Sequence, residues 1–205
     1  MIRMQRLLDR IREIRDAFPP EVRQFLVRAL LLFIVWKGLY LFLWQKPRTL
    51  DLPLTRSVGV QTAWVLDLLH GGGTFTEREV FRKTVIEGET ILSPMSHVYQ
   101  GDRRVVGIAD NCNGLELFIL YIGFILAMPA TWRRKIGYGL GGLAIVHIAN
   151  ILRCTGLGML MLYRDEYFDF AHHYIFKMVI YGTIFLLWVR FSRKIVLKPA
   201  AHATV

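Results

Sequence analysis

Four apolar runs, at 25–44, 115–130, 136–162 and 174–189, constrain this chain more than any other feature. Each is bounded by charged or polar clusters, and each has or approaches the roughly 20 residues that a helix needs to cross a bilayer core. At 54% hydrophobic residues and a mean hydropathy of +0.37 over 205 residues, the chain is too apolar for an ordinary soluble domain. The runs predict an all-α integral membrane protein, a four-helix transmembrane bundle folded as one domain.

The net charge of +10 raises the question of nucleic acid, and its distribution answers against it. Basic residues gather at Arg3, Arg6, Arg10, Arg12, Arg15, Arg23 and Arg28, in the Trp132-Arg133-Arg134-Lys135 turn, and at Arg190, Arg193, Lys194 and Lys198. The stretch 45–111 is balanced in sign and 164–169 is acidic. Cytoplasmic segments of membrane proteins carry the excess of Lys and Arg. Both termini and the 132–135 turn are therefore expected in the cytoplasm, with 45–110 and 163–173 outside. The lipid bilayer is the expected partner of the basic and apolar surfaces.

Residues 1–24 carry Met4, Leu7, Leu8, Ile11, Ile14 and Phe18 at helical spacing with arginines between them, and no small-residue cleavage site. This predicts an amphipathic helix on the cytoplasmic membrane surface, with a solvated leader helix as the alternative. Residues 25–192 form the transmembrane domain and 193–205 a cytoplasmic tail. Within the external insertion 45–110, residues 45–53 read as extended. Residues 56–69 read as a short interfacial helix closed by Gly71-Gly72-Gly73. Residues 74–108 read as a β-hairpin insertion of short strands, with turns at 87–89 and 100–102. Gly137 and Gly141 form a small-xxx-small pair that favours close helix approach.

Polar residues at span ends are costly and invite a chemical reason. Cys112 opens the second span at its outer end. Arg153 lies about 25 Å along the third span from Ile136, and His172 opens the fourth span. The topology brings all three to one outer layer. A thiol at a helix N-terminus is favoured as thiolate and a histidine there as neutral base. An arginine stabilises developing negative charge, and Gly114 leaves room beside the thiol. Against these stand plain structural roles: a cysteine filling space, an arginine snorkelling to lipid phosphate, solvated His172 and His173, or a disulfide between Cys112 and Cys154. No metal-ligand spacing is present, and no cofactor is expected.

The segments Asp110-Asn-Cys-Asn-Gly-Leu-Glu116, Ala149-Asn-Ile-Leu-Arg153 and Phe170-Ala-His-His-Tyr-Ile-Phe176 resemble the exosortase/archaeosortase family of membrane cysteine transpeptidases in order and spacing. The resemblance covers roughly 100–190. It implies that Cys112 attacks a peptide bond, Arg153 stabilises the tetrahedral intermediate and His172 manages protons, with Asn111, Gly114, Asn150 and His173 around them. It also implies substrates: membrane-anchored exported proteins whose C-terminal sorting signals are cut and passed to an acceptor. The setting implied is the bacterial cytoplasmic (inner) membrane, with the site on the external, periplasmic face. Most of that family reads Cys-Ser-Gly where this chain has Cys112-Asn113-Gly114, and longer members have about twice as many spans. Two other readings stand beside it: a non-enzymatic membrane scaffold or assembly factor, and a thiol–disulfide protein using Cys112 and Cys154. Neither cysteine belongs to a Cys-x-x-Cys pair, which disfavours redox chemistry.

Overall fold

The computed structural model describes residues 19–41, 48–86 and 89–193. The amphipathic helix expected before Pro19, the turn at 87–88 and the tail beyond Arg193 lie outside the described residues. Helix α1 (Pro20–Leu39) comes first. It starts at Pro20 rather than at Phe25, because proline at a first helical position loses no intrahelical hydrogen bond. Helix α2 (Asp51–Leu69) follows, then strands β1 (Phe75–Ile86), β2 (Glu89–Gln100) and β3 (Arg103–Ile108). A 3₁₀ turn, Asp110–Cys112, leads into α3 (Leu115–Ala127) and α4 (Trp132–Tyr163). Helix α5 (Asp165–Ser192) is the last helix among the described residues. It is interrupted at Ala171–Ile175 by a π-helical turn.

Among the described residues, α4 with 32 residues and α5 with 28 are long and apolar enough to cross a membrane. Helix α1 presents Leu26, Leu30, Phe33 and Ile34 outward, each about half exposed or more. Helix α3 has only 13 residues, a rise of about 20 Å against a hydrocarbon core of about 30 Å.

The insertion between α1 and α3 is more built up than a hairpin. The three strands form one antiparallel sheet in the order β1-β2-β3, and β1 and β2 run 12 residues each. Helix α2 begins at Asp51, where an extended stretch was expected; Pro53 is its third residue and the first turn needs no N–H from it. Its apolar residues divide between two faces. Val58, Ala63 and Leu66 are buried, while Val60, Trp64, Leu68 and Leu69 point outward. Beyond α2 the backbone passes through Gly71, Gly72 and Gly73 at φ +87°, +96° and +78°, a region other residues avoid. The Asp67 carboxylate accepts hydrogen bonds from Gly73, Thr74 and Phe75 at 2.8, 2.8 and 3.1 Å. Those three donors, Gly73 first, hold its carboxyl below the usual range.

Two hydrophobic clusters result. The outer one joins α2, the sheet and the far half of α4 through Val58, Leu66, Val98, Val105, Ile108 and Leu157. The other joins α3, α4 and α5 through Tyr121, Ile125, Val146, Ile180 and Ile184. The glycine pair expected to pack helices is not where they meet. A Cβ on Gly137 or Gly141 would touch nothing within 4 Å, whereas one on Gly142 would lie 2.0 Å from the Tyr121 hydroxyl. The Tyr121 ring crosses α4 at Gly142, and its hydroxyl donates to the Tyr138 carbonyl at 2.7 Å.

Candidate active site

The chain from Asp110 to Leu115 lies where the two clusters meet. Cys112 is half-buried and packs against the outer cluster. It stands in the 3₁₀ turn, three residues before α3 begins, and not on a helix N-terminus as the sequence suggested. The charge beside the sulfur comes from a side chain instead. Arg153 Nη2 donates to Cys112 Sγ at 3.6 Å.

Asn150 braces both partners. Completely buried, it donates from Nδ2 to the Cys112 carbonyl at 3.0 Å, and its Oδ1 accepts from Arg153 Nη1 at 3.3 Å. Asn150 and Arg153 are three residues apart on α4 and so share a face. Gly114 explains the glycine of the motif. Its φ is +92°, and a Cβ there would lie 3.1 Å from Asn150 Nδ2. The site thus needs glycine twice, for the turn of the chain and for the approach of Asn150.

The structure brings Cys112, Gly114, Asn150 and Arg153 together. It leaves His172 near but unbonded. His172 stacks on Phe168, with ring centroids 5.9 Å apart, and among the described residues it makes no hydrogen bond. It sits within the π-helical turn of α5, seven residues after that helix begins, so the helix-terminus argument for a neutral imidazole does not apply. π-turns inside helices recur at functional sites. His173 is exposed, and its Nδ1 is 2.9 Å from the Asp169 carbonyl of its own helix. Of the two rings, His172 is the more buried. Cys154, though next to Arg153 in sequence, is 2% exposed on the core side of α4, and both thiols are free. No Cys112–Cys154 disulfide is present in the structure.

Asn111 is exposed and lines two adjoining cavities. One, of about 90 Å³, reaches Arg153 between α3 and α5. The other, about 400 Å³, continues between α1 and α3, bounded by Phe33, Trp36 and Tyr40 on one side and Leu115, Ile119 and Leu120 on the other. Asp110, Asn111, Glu116, Leu117 and Tyr181 line both. Among the described residues no cluster of His, Cys, Asp and Glu is arranged to hold a metal ion.

Sequence reasoning missed a polar network under the motif. Asn113 is completely buried; its Oδ1 accepts from the Leu115 N–H at 2.8 Å and starts α3. Its Nδ2 faces the Asp51 carbonyl, Asp51 Oδ1 and Thr55 Oγ1 at 3.3, 3.1 and 3.2 Å. Asp110 accepts from Thr55 Oγ1 at 3.0 Å and pairs with Arg48, whose guanidinium also donates to the Pro94 carbonyl. Asn113 lay inside the motif and was a legible signal. Asp51 and Thr55 carry none, since their partners stand some sixty positions along the chain.

The fold and the site together define a helical membrane protein that holds a cysteine beside a guanidinium, next to a three-stranded sheet. The chain belongs to the transmembrane exosortase family, whose family model matches residues 22–190. That membership supports a transpeptidase-like function at a membrane in general terms. No curated protein and no solved structure matches the chain.

Proposed function

We propose that this protein is a membrane-embedded cysteine transpeptidase that cuts C-terminal sorting signals from exported proteins. The observation that carries the reading is the Arg153–Cys112 contact at 3.6 Å, braced on both sides by Asn150. A guanidinium beside a sulfur favours a nucleophilic thiolate, and its planar fork suits an oxyanion formed two bonds from that sulfur. Cys112 attacks the scissile carbonyl, and Arg153 stabilises the oxyanion. His172 carries the proton of the Cys112 thiol to the leaving amine, giving a thioester on Cys112. An acceptor nucleophile then attacks the thioester, giving up its proton, and the thiol is restored. His173 is the alternative proton carrier.

Four spans, α1, α3, α4 and α5, cross the bacterial inner membrane in this reading. Both termini are cytoplasmic and the sheet is periplasmic. The substrate is an exported protein tethered by a single C-terminal helix, which keeps the preceding segment at the depth of the thiol. The cavity between α1 and α3 shares lining residues with the smaller one that reaches Arg153, which supports a route to the site for the substrate's helix.

The test is Cys112→Ala in the native host. Processing of C-terminally anchored exported proteins should stop, while the variant accumulates normally in the membrane. A hydroxylamine-sensitive adduct between Cys112 and a candidate anchored protein would identify the thioester. If every such protein is processed and placed as before in Cys112→Ala cells, the scaffold reading takes over.

A further inference from the structure

The motif that carries Cys112 is fixed at both of its ends, and both fixings converge on one turn of α2. On the C-terminal side of the thiol, the Asn113 amide is committed to Asp51, to Thr55 and to the first N–H of α3. On the N-terminal side, the Asp110 carboxylate takes the Thr55 hydroxyl and the Arg48 guanidinium. Asp51 and Thr55 are four residues apart and share one helix face. A single hydroxyl, Thr55 Oγ1, belongs to both fixings: it accepts from Asn113 at 3.2 Å and donates to Asp110 at 3.0 Å.

We infer that Thr55, with Asp51, is a positioning residue of the site: the first turn of α2 is a socket that holds the Cys112 turn so that the sulfur meets Arg153. The inference rests on the reading of Cys112 as the nucleophile. A simpler role for Asp51 would be that of an acidic residue complementing a helix start. Such residues do so in solvent. Asp51 is 3% exposed and Thr55 1%, and their hydrogen bonds go to the motif 55 to 62 positions away. Tyr40 Oη donates to the second carboxylate oxygen of Asp51 at 2.7 Å, so the socket is also tied to the end of α1.

Without the Thr55 hydroxyl, the Asn113 amide and the Asp110 carboxylate each lose a partner, and the turn between them is held less firmly. Cys112 between them then has more than one resting position, of which only one lies on Arg153. Volume and apolar packing are kept in Thr55→Val, so the change isolates the hydroxyl.

The experiment uses the full chain in lipid nanodiscs and iodoacetamide as the probe. Peptide mass spectrometry reads alkylation of Cys112 separately from that of buried Cys154. Thr55→Val should slow alkylation of Cys112 about five- to tenfold, the factor expected from a hydrogen bond worth about 1 kcal/mol or slightly more, and Thr55→Ser should restore it. Arg153→Gln should slow it as well, and Thr55→Val should then add nothing, because the two act through one contact. Asp51→Asn, which keeps the volume and reverses one hydrogen bond, should show the same dependence on Arg153 should Thr55→Val fail to accumulate. Alkylation in Thr55→Val within about twofold of the parent, or an equal slowing with and without Arg153, would overturn the inference. Alkylation needs no substrate, so its outcome is separate from that of processing in Cys112→Ala cells, which decides the nucleophile.

Discussion

At the scale of single residues, the site is a set of short, directional contacts, and each gives a definite expectation. Arg153 uses one guanidinium nitrogen on Cys112 and the other on Asn150. A lysine keeps the charge but not the fork, so Arg153→Lys should lose nearly as much as Arg153→Ala, about 100-fold or more in processing rate. Full activity in the lysine variant would reduce Arg153 to a membrane anchor. Gly114→Ala forces a side chain into a positive φ against Asn150. It should cost about 1–3 kcal/mol and also slow Cys112 chemistry, measured by thermal unfolding and thiol alkylation together. Cys112 and Arg153 stood out in the sequence because thiol and charged groups at span ends are costly to place there, Gly114 as room beside the thiol, and Asn150 only through the resemblance of its segment. Asp51 and Thr55 did not stand out. A threonine or aspartate in a segment with no long apolar run has no such cost attached, and nothing in the sequence states that its partners lie some sixty residues on.

At the scale of elements, the sequence located the elements better than it located their ends. Apolar period and charge gave α4 and α5, and alternating Val, Ile, Thr and Phe gave the strands. The starts of α2 and α5 came out wrong, and Cys112 did not open α3, because hydropathy does not show where neighbouring turns and contacts set an element. The Asn113 side chain starts α3 at Leu115, which leaves Cys112 in a turn. The short 3₁₀ segment Asp165–Tyr167 starts α5 well before His172. The division of α2's apolar residues was hidden for the same reason, since composition does not say which stripe the sheet will cover. The α2–β1 connection carries a pH dependence whose sign is fixed. Asp67 is held below its usual carboxyl range by three backbone donors. Its contribution is present above the unfolded-state value of about 3.9, and is lost as pH falls through the lower folded-state value. Thermal unfolding of the parent and of Asp67→Asn should therefore differ by a constant margin at neutral pH. That margin should shrink only in strong acid. A margin that grew on acidification would contradict this account of the loop.

At the scale of the whole molecule, the two clusters make a helical part and a sheet part that share α4. In the proposed orientation, the basic 132–135 turn and the sheet lie on opposite sides of the bilayer. Single cysteines in place of Asp102 and Arg133, in a Cys112→Ala, Cys154→Ala background, should label from opposite faces with a membrane-impermeant maleimide. Labelling of both from one face would remove the proposed orientation. The length of α4 then acquires a meaning of its own. Its 32 residues rise about 48 Å, well beyond the roughly 30 Å of hydrocarbon, and Arg153 stands 21 residues past Trp132, or about 32 Å along. In the proposed orientation, that places the guanidinium one membrane thickness above the inner boundary. In that reading the helix is a ruler with its zero mark in the cytoplasm, and the proposed cut is made at a height. Where a substrate is severed is then decided by how far its own anchor lifts each peptide bond above the lipid, and a thicker or thinner bilayer moves the cut along the chain without any change in sequence.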